Sequence, residues 1–313
     1  MVNCINMKSI IKKLAFNKKL SLGFEIISVN DHHVQSKKNL RTPHRASFYS
    51  IIWFEKGSPV HTVDFSTVTV KPDSFLFIRK DAVQFFDQLN AFESRVLIFT
   101  DAFFCGDEND YLFLQSNALF NDLDSTKVNS NIQSNSLMRE IWALMEEEAK
   151  QLPDLFQPGL LKNYLSNFIL LAGRERQKSG YRPVQHGIYL DHLIAFKNYL
   201  EKDFRKEKSV SYYAQKLFVS DKVLTNALQN TMGKTPKQLI DERILLEAKR
   251  LLVHSNDSGK IIGLSLGFDE PTNFNKFFKK HIGKTPSEFR ISYAQKQQQG
   301  AKVPSLSADL PLQ

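Results

Sequence analysis

The chain has 313 residues, of which 42% are hydrophobic, and carries a formal net charge of +9. This length and hydrophobic content suffice for one or two buried cores, so the composition excludes a disordered chain. The cysteines Cys4 and Cys105 lack metal-ligand spacing, and no apolar run approaches the roughly 18 residues of a membrane helix. We therefore expect a reduced, cytoplasmic protein without a membrane segment.

Short β-branched and aromatic segments fill the chain from about residue 22 to 105, after a basic N-terminal segment at 1–20. The stretches "EKGSP", "KPD" and "LNAFES" separate them, and strands at this spacing predict a β-barrel or jelly-roll. The segment "FYSIIWF" is apolar on both alternating faces, which predicts that it is covered on both sides.

A helical hairpin is predicted after the strands, and it closes an N-terminal domain at 21–178. "NSLMREIWALMEEEAK" places Leu137, Ile141, Leu144 and Met145 on one apolar stripe, and a second helix follows in "PGLLKNYLSNFILLAGRER". The hairpin is interpreted either as ordinary packing on the strands or as a homodimer interface through 132–175. Gly180 and Pro183 then favour a linker at 179–188.

The positive charge is concentrated in the C-terminal third, which is helical in pattern from 189 to 294. Residues 190–290 contain 18 Lys and Arg against 12 Asp and Glu, which is six of the nine excess positive charges. Such an excess favours a polyanionic partner. The polar stretch 295–313 is predicted to be a disordered tail.

The tetrapeptide GKTP occurs twice, at Gly233–Pro236 and at Gly283–Pro286. In each copy glycine suits the left-handed end of one helix, threonine caps the next helix, and proline suits its first position. Gln238 and Glu288, three residues after each threonine, complete a capping box. The pattern argues against a phosphate-binding loop, because a helix precedes both lysines and proline lacks an amide N–H.

The residues before each tetrapeptide also match. Aligned on their glycines, the copies pair Leu224 with Phe274, Ala227 with Phe277, Leu228 with Phe278 and Met232 with Ile282. Further upstream the register slips by one residue, which pairs Ala214 with Gly263. Each copy is then a short helix with a small residue inside it, a tight turn, and a second helix opened by Ser220 or Asp269. This arrangement predicts two helix-turn-helix units, whose second helices would enter the DNA major groove.

The polar faces of these second helices supply the candidate binding residues. Asn and Gln can bond adenine edges, Lys reaches guanine or phosphate, and Thr suits base edges or backbone. Each residue alone fits a solvated face, but matching faces on two helices of a basic domain favour DNA contact. The predicted DNA-binding residues are Ser220, Lys222, Thr225, Asn226 and Gln229 in the first unit, and Thr272, Asn275, Lys276, Lys279 and Lys280 in the second.

A helix from Pro236 to about His254 is predicted between the two units. Its length of roughly 28 Å at 1.5 Å per residue would hold the two second helices a fixed distance apart. That distance is of the order of the 34 Å turn of B-DNA, so one monomer would read two adjacent half-sites.

The stretches "SDKVLTNALQNTMGKTPKQLIDERILLEAKRLL" and "IIGLSLGFDEPTNFNKFFKKHIGKTPSEFR" resemble the C-terminal DNA-binding domain of AraC/XylS-type bacterial transcription regulators. The resemblance covers the domain at 189–294. It implies a regulator, more commonly an activator, that binds double-stranded DNA and contacts RNA polymerase. This chain departs from the family pattern at Gly263, where alanine is usual, at Pro271, and at Asn226 and Gln229, where basic residues are common.

"PHRASFYSIIWFEKGSPVHTVDF" is similar to the cupin-like sensor domains that precede this module in many members. The similarity implies a barrel with a small-molecule effector pocket, and strand alternation gives His44, Tyr49, Trp53 and His61 as its lining. His32, His33, His44 and His61 are the histidines that could gather around a metal. Because Pro43-His44 is followed by Arg45 and Ala46 rather than a second histidine, no metal site and no cofactor are predicted.

These features together predict an α+β chain, with a cupin-like N-terminal β-domain and accessory helices, and an all-α double helix-turn-helix domain. The predicted function is sequence-specific transcription regulation, without catalytic residues. One alternative is a cupin-type metal enzyme with a helical interaction module, but it requires a metal triad that the sequence lacks, and Cys105 fits a buried inert thiol. Another is a regulator whose N-terminal domain only dimerises or binds a protein partner.

Overall fold

The structure is a computed structural model that describes residues 11–16, 22–30, 42–86, 91–120, 131–180 and 188–300. The described residues form a strand-rich N-terminal domain with accessory helices and a helical C-terminal domain, which confirms the α+β prediction. The strands are β1 (Lys12–Leu14), β2 (Phe24–Asn30), β3 (His44–Ala46), β4 (Tyr49–Lys56), β5 (Val60–Val63), β6 (Ser66–Thr69), β7 (Ser74–Ile78), β8 (Val83–Phe86), β9 (Glu93–Phe99) and β10 (Asn131–Gln133).

The described strands form two five-stranded sheets rather than one closed barrel. One sheet has the order β1-β3-β8-β5-β6 and the other has the order β10-β7-β4-β9-β2. Strand β4 is buried on both faces: Ile52 and Phe54 belong to a cluster shared with β5 and β8 of the other sheet, whereas Ile51 and Trp53 pack toward helices. The prediction that "FYSIIWF" is covered on both sides is therefore confirmed.

Among the described residues, four helices complete the N-terminal domain. They are α1 (Asp101–Phe104), α2 (Glu108–Ser116), α3 (Ser136–Lys150) and α4 (Gln157–Lys178). The face of α3 that packs on the sheet carries Met138, Trp142 and Met145, so Met145 of the predicted stripe is buried there and the rest of that face is displaced by one residue. Leu137 and Leu144 are each 47% exposed. The pattern was ambiguous because both sets of positions have helical spacing, and the bulk of Trp142, whose ring packs against Trp53 and Phe168, decides the rotation of the helix.

The C-terminal domain consists of seven helices. They are α5 (Ile188–Asp203), α6 (Val210–Lys216), α7 (Asp221–Met232), α8 (Pro236–His254), α9 (Gly259–Ser265), α10 (Pro271–Ile282) and α11 (Pro286–Gly300). One hydrophobic core joins residues of α5 to α10, including Leu193, Leu224, Ile244, Ile262 and Phe274. Helix α4 ends at Lys178 and α5 begins at Ile188, and residues 181–187 of the predicted linker lie outside the described residues.

Both GKTP segments have the predicted capping geometry. Gly233 and Gly283 end α7 and α10 in the left-handed conformation, with φ of 67° and 76°. Thr235 and Gln238 form a reciprocal capping box at α8, and Thr285 and Glu288 form the same pair of bonds at α11. The prediction that Asp269 opens α10 is corrected: the N-cap is Glu270, because Pro271 takes the first helical position.

Helix α11 continues to Gly300, six residues into the predicted disordered tail. The segment 295–299 contains Gln and Lys, which favour helix, and the first glycine is Gly300, so nothing ends the helix earlier. Residues 301–313 of the tail and most of the basic segment at 1–20 lie outside the described residues.

Two helical glycines provide a test of the close crossing between α9 and α10. A Cβ on Gly263 would lie 2.8 Å from the Cβ of Phe274, whereas a Cβ on Gly173 in α4 would meet nothing within 4 Å. We expect Gly263→Ala to lower the free energy of unfolding by about 1–2 kcal/mol, because overpacking outweighs the helix propensity of alanine. Gly173→Ala is the matched control and is expected to raise it by up to about 1 kcal/mol. Urea denaturation measures both, and equal effects would contradict the packing account.

Candidate nucleic-acid interface

Two helix-turn-helix units lie in tandem: the first unit is α6, its turn and α7, and the second unit is α9, its turn and α10. The two turns have the same hydrogen bonds. The amide of Val219 donates to the Ala214 carbonyl at 3.0 Å, and the amide of Phe268 donates to the Gly263 carbonyl at 3.0 Å. Each residue of the second turn lies 49 positions after its counterpart in the first turn. This is the spacing that pairs Ala214 with Gly263 in the sequence, upstream of α7 and α10, the recognition helices. The small residue at each crossing is buried, as a close approach of two helices requires.

The central residue of each turn takes a left-handed conformation, with φ of 56° at Phe218 and 74° at Gly267. Gly267 packs against the α5–α6 loop, where a Cβ would lie 1.8 Å from the Arg205 carbonyl oxygen. Phe218, at the equivalent position in the first unit, is 96% exposed. The sequence analysis did not single out Phe218, although the alignment of a phenylalanine with a turn glycine was the signal that could have shown it.

The predicted DNA-binding residues lie together on the outer faces of α7 and α10. Lys222, Asn226 and Gln229 are exposed on α7, and Thr225 beside them is half-buried. On α10 the corresponding set is fully exposed and consists of Thr272, Asn275, Lys276, Lys279 and Lys280. Within the described part of the chain, only Ser220 and Thr272 among the ten candidates use their side chains in hydrogen bonds. The other polar groups are therefore available to a ligand.

The two faces differ in charge. The α10 face presents three lysines, whereas the α7 face presents one lysine beside Asp221, whose carboxylate accepts a hydrogen bond from the Ser211 hydroxyl at 2.7 Å. Ser220 caps α7 by accepting from the amide of Val223 at 3.3 Å, so its hydroxyl has a structural role as well. The second unit therefore presents more positive charge than the first, whereas Asn226 and Gln229 give the first unit uncharged amide groups.

Helix α8 holds the two units in one arrangement. Its 19 residues correspond to roughly 28 Å. Ile240, Ile244 and Ala248 are buried in the core that both units share. Near its start, Glu242 pairs with Lys234 at 3.0 Å, and Asp241 lies 3.6 Å from the His281 imidazole. These two contacts connect the ends of α7 and α10 to α8.

The structure does not bring the four predicted effector residues together. His44 and His61 are buried on the sheet that contains β3 and β5, where His61 contacts Phe54 and Phe86. Tyr49 and Trp53 lie on the opposite face of β4, in the core toward the helices. The prediction of one pocket is corrected, because β4 has two buried faces and strand alternation alone could not say which face meets β5.

Each of these four side chains has a local partner. The Tyr49 hydroxyl accepts from Gln115 at 3.2 Å, and the Trp53 indole donates to Asp73 at 3.1 Å. His61 Nε2 lies 3.1 Å from the Gln84 amide oxygen, and burial lowers the pKa of this imidazole to about 4. His44 Nδ1 lies 3.0 Å from the Thr42 carbonyl. These contacts are those of residues in a packed core.

Within the described ranges, no group of three or more His, Cys, Asp or Glu side chains is arranged to hold a metal ion. His32 and His33 lie outside those ranges. Burial, together with the nearby Asp101, raises the pKa of the Cys105 thiol to about 11, which fits a poorly reactive thiol. No helix in the described part of the chain is long and apolar enough to span a bilayer.

Comparison with known proteins agrees with this geometry. Residues 213–292 match a family model described as "Helix-turn-helix domain". The chain is 34% identical over 101 residues to the HTH-type transcriptional activator RhaS of Escherichia fergusonii, and 30% identical over 100 residues to the uncharacterized HTH-type transcriptional regulator YisR of Bacillus subtilis. Each alignment covers 32% of this chain and 35% of the relative, so the chain matches about a third of the length of these proteins.

A solved AraC-type DNA-binding-domain protein from Chromobacterium violaceum is 27% identical, with a TM-score of 0.31, and the match covers 34% of this chain and 94% of that one. The fold and the exposed faces define the C-terminal domain as a tandem helix-turn-helix domain. Residues 213–292 are thus similar to the helix-turn-helix domains of these transcription regulators.

Proposed function

We propose that the chain is a sequence-specific DNA-binding transcription regulator. The observation that carries this proposal is the duplicated turn, with its two exposed polar faces on helices of one rigid domain. Recognition helices α7 and α10 enter successive major grooves, and Asn and Gln side chains read base edges while the lysines contact phosphates. Such a protein acts in the cytoplasm, where the bacterial chromosome lies, and the proposal assigns it no catalysis.

The direction of regulation follows the named relative. RhaS is named a transcriptional activator, which supports activation, and activation implies a contact with RNA polymerase. A small-molecule effector in the N-terminal domain remains a prediction, and the four residues that strand alternation suggested for it lie on the two opposite buried faces of β4. Binding of radiolabelled or fluorescent candidate metabolites to the full chain would test it.

The DNA-binding proposal is tested by selecting duplexes with the full chain from a random pool and measuring affinity against salt. If Lys222, Lys276, Lys279 and Lys280 contact phosphates, the logarithm of the association constant falls with the logarithm of salt concentration with a slope of about −4. A flat response, or no enrichment of any sequence, would contradict the proposal. Lys56→Ala is the control variant, because Lys56 is an exposed lysine of the N-terminal domain that pairs with Glu93.

We further propose that the chain forms a homodimer through the hairpin of α3 and α4. Among the described residues, seven of the thirteen exposed large hydrophobic side chains lie on this hairpin. They are Leu137, Leu144, Leu152, Leu155, Phe156, Leu160 and Leu170. Such a concentration of exposed apolar surface is typical of a protein interface.

Sedimentation of the full chain at micromolar concentration tests the dimer. We expect the parent chain to sediment as a dimer and the variant Leu144→Glu/Leu170→Glu to sediment as a monomer, because two buried charges oppose the apolar contact. Ile291→Glu is a control of similar exposure on α11. A monomeric parent chain would contradict the proposal, and so would a double variant that remains dimeric.

A further inference from the structure

A buried set of ion pairs joins the N-terminal domain to α8, the helix that connects the two units. Arg250 on α8 is fully buried and donates from Nε to Asp64 Oδ1 at 2.6 Å and from Nη2 to Asp64 Oδ2 at 2.8 Å. Glu247, three residues earlier, is 1% exposed and accepts from Arg45 at 2.9 Å. Arg45, Asp64, Glu247 and Arg250 are called the interdomain network here.

The charges of the interdomain network depend on each other. Burial alone would raise the pKa of Glu247, but the guanidinium groups of Arg45, Arg250, Arg243 and Arg205 lower it to about 2. Burial would likewise lower the pKa of Arg250, and the Asp64 carboxylate reverses that effect. Glu247 and Arg250 are therefore held in their charged forms. Separating the two domains would break the bidentate Arg250–Asp64 pair, whose planar geometry defines one orientation.

The Asp64 carboxylate is held in place by the N-terminal domain itself. Asp64 lies in the turn between β5 and β6 with a φ of 53°, a left-handed conformation that Asp adopts more readily than most residues. Its amide donates to the Val83 carbonyl at 2.6 Å, and its Oδ1 accepts from the Val83 amide at 3.2 Å. These two hydrogen bonds to Val83 fix the position of the Asp64 carboxylate.

The next residue of the same turn contacts α11, which packs behind the second unit. The ring of Phe65 makes an edge contact with Tyr293 on α11, with centroids 5.9 Å apart. Tyr293 stacks on Phe289 at 6.4 Å, and Phe289 contacts Phe278 of the recognition helix α10 at 5.5 Å. One turn of the N-terminal domain therefore contacts α8 through Asp64 and the elements behind α10 through Phe65.

A separate contact joins the N-terminal domain to α5, which packs against the first unit. The hydroxyl of Tyr111 on α2 donates to Asn198 Oδ1 on α5 at 2.9 Å. Helix α5 in turn supports α6, since the rings of Phe196 and Tyr213 are 5.3 Å apart. The N-terminal domain thus bridges α5, α8 and α11, while the candidate DNA-binding side chains on α7 and α10 stay exposed. Contact between the two domains does not cover the exposed polar faces of α7 and α10. It therefore affects the position of these two faces relative to each other.

We propose that Asp64, Arg45 and Phe65 are positioning residues that hold the two recognition helices at one separation, so that the N-terminal domain sets the spacing of half-sites that a monomer accepts. This inference rests on the proposed DNA-binding function. Without these contacts the two units are joined by α8 and by the hydrophobic core packed on it, and bending of α8 would change the distance between α7 and α10. The contacts of the N-terminal domain with α5, α8 and α11 oppose this bending. They favour one spacing of half-sites, because other spacings require these contacts to be broken.

The test uses the full chain and duplexes that carry its selected site. In one series the distance between the two half-sites is changed by one, two or three base pairs, and one further duplex keeps only the half-site of the second unit. The first variant is Asp64→Asn, which removes the negative charge that pairs with Arg250. The second is Phe65→Ala, which removes the ring contact with Tyr293 and leaves the ion pairs in place. Arg139→Gln is the matched control, since Arg139 pairs with Asp73 inside the N-terminal domain at 2.7 Å.

For the parent chain and for Arg139→Gln, we expect a change of two base pairs to weaken binding at least tenfold. For Asp64→Asn and Phe65→Ala, the same change is expected to weaken binding less than threefold, while affinity for the single half-site stays within twofold of the parent. Asp64→Glu, which keeps the charge, should restore part of the preference. Equal spacing preference in parent and folded variants would overturn the inference, and so would an equal loss on every duplex. No binding by the parent chain to any duplex would instead contradict the proposed function.

Discussion

The double variant Asn275→Ala/Lys276→Ala should bind the selected duplex about 100-fold more weakly than the parent chain. Both side chains are exposed on α10 and are neighbours on the face that is proposed to enter the major groove. Each lost base or phosphate contact is worth about 1–3 kcal/mol, and a combined loss near 3 kcal/mol corresponds to roughly a factor of 100. Fluorescence anisotropy at constant salt measures the ratio.

The two single variants separate the roles of these residues. Lys276→Ala should reduce the salt slope by about one if it contacts a phosphate, and Asn275→Ala should leave the slope unchanged and relax one base position of the selected site. Lys56→Ala should change neither quantity, because Lys56 lies on the N-terminal sheet. Unchanged affinity of the double variant would remove α10 from the DNA interface.

The variant Arg250→Met should lower the free energy of unfolding of the chain by about 3–5 kcal/mol. The substitution leaves Asp64 without its bidentate partner and removes one of the four guanidinium groups around the buried Glu247. Removing one partner of a buried ion pair costs this much because the remaining charge loses its main compensation, and Asp64 would keep, among the described residues, only the more distant Arg79 at 3.9 Å. Denaturation in urea, followed by tryptophan fluorescence from Trp53 and Trp142, measures the change.

An exposed ion pair provides the control for this experiment. Arg139 pairs with Asp73 at 2.7 Å, but the two side chains are 42% and 39% exposed. Arg139→Met is therefore expected to change the free energy of unfolding by less than about 1 kcal/mol. Equal effects of the two substitutions would show that burial does not strengthen the Arg250 pair.

The tandem units were predictable from sequence because their signals are local. A left-handed glycine, a threonine cap, a proline and a capping box lie within six residues, and the apolar positions of α7 and α10 repeat at a fixed offset. The only local error was the cap of α10, where Pro271 moved the helix start by one residue.

The features that the sequence did not predict depend on contacts between distant residues. Asp64 and Arg250 are 186 positions apart, and neither has a local pattern that indicates a partner. Likewise, β4 is buried on both faces, so alternation could not assign Tyr49 and His61 to the same side. The rotation of α3 depended on Trp142 packing against the sheet, which periodicity alone does not show.

The central claim is that one chain reads DNA with two recognition helices on one face of the duplex. Hydroxyl-radical and methylation-protection footprints of the full chain on its selected site test this claim most directly. For each bound chain we expect two protected major-groove segments whose centres are about one helical turn, or roughly 10 base pairs, apart. A single protected segment per chain, or two segments on opposite faces of the duplex, would contradict it.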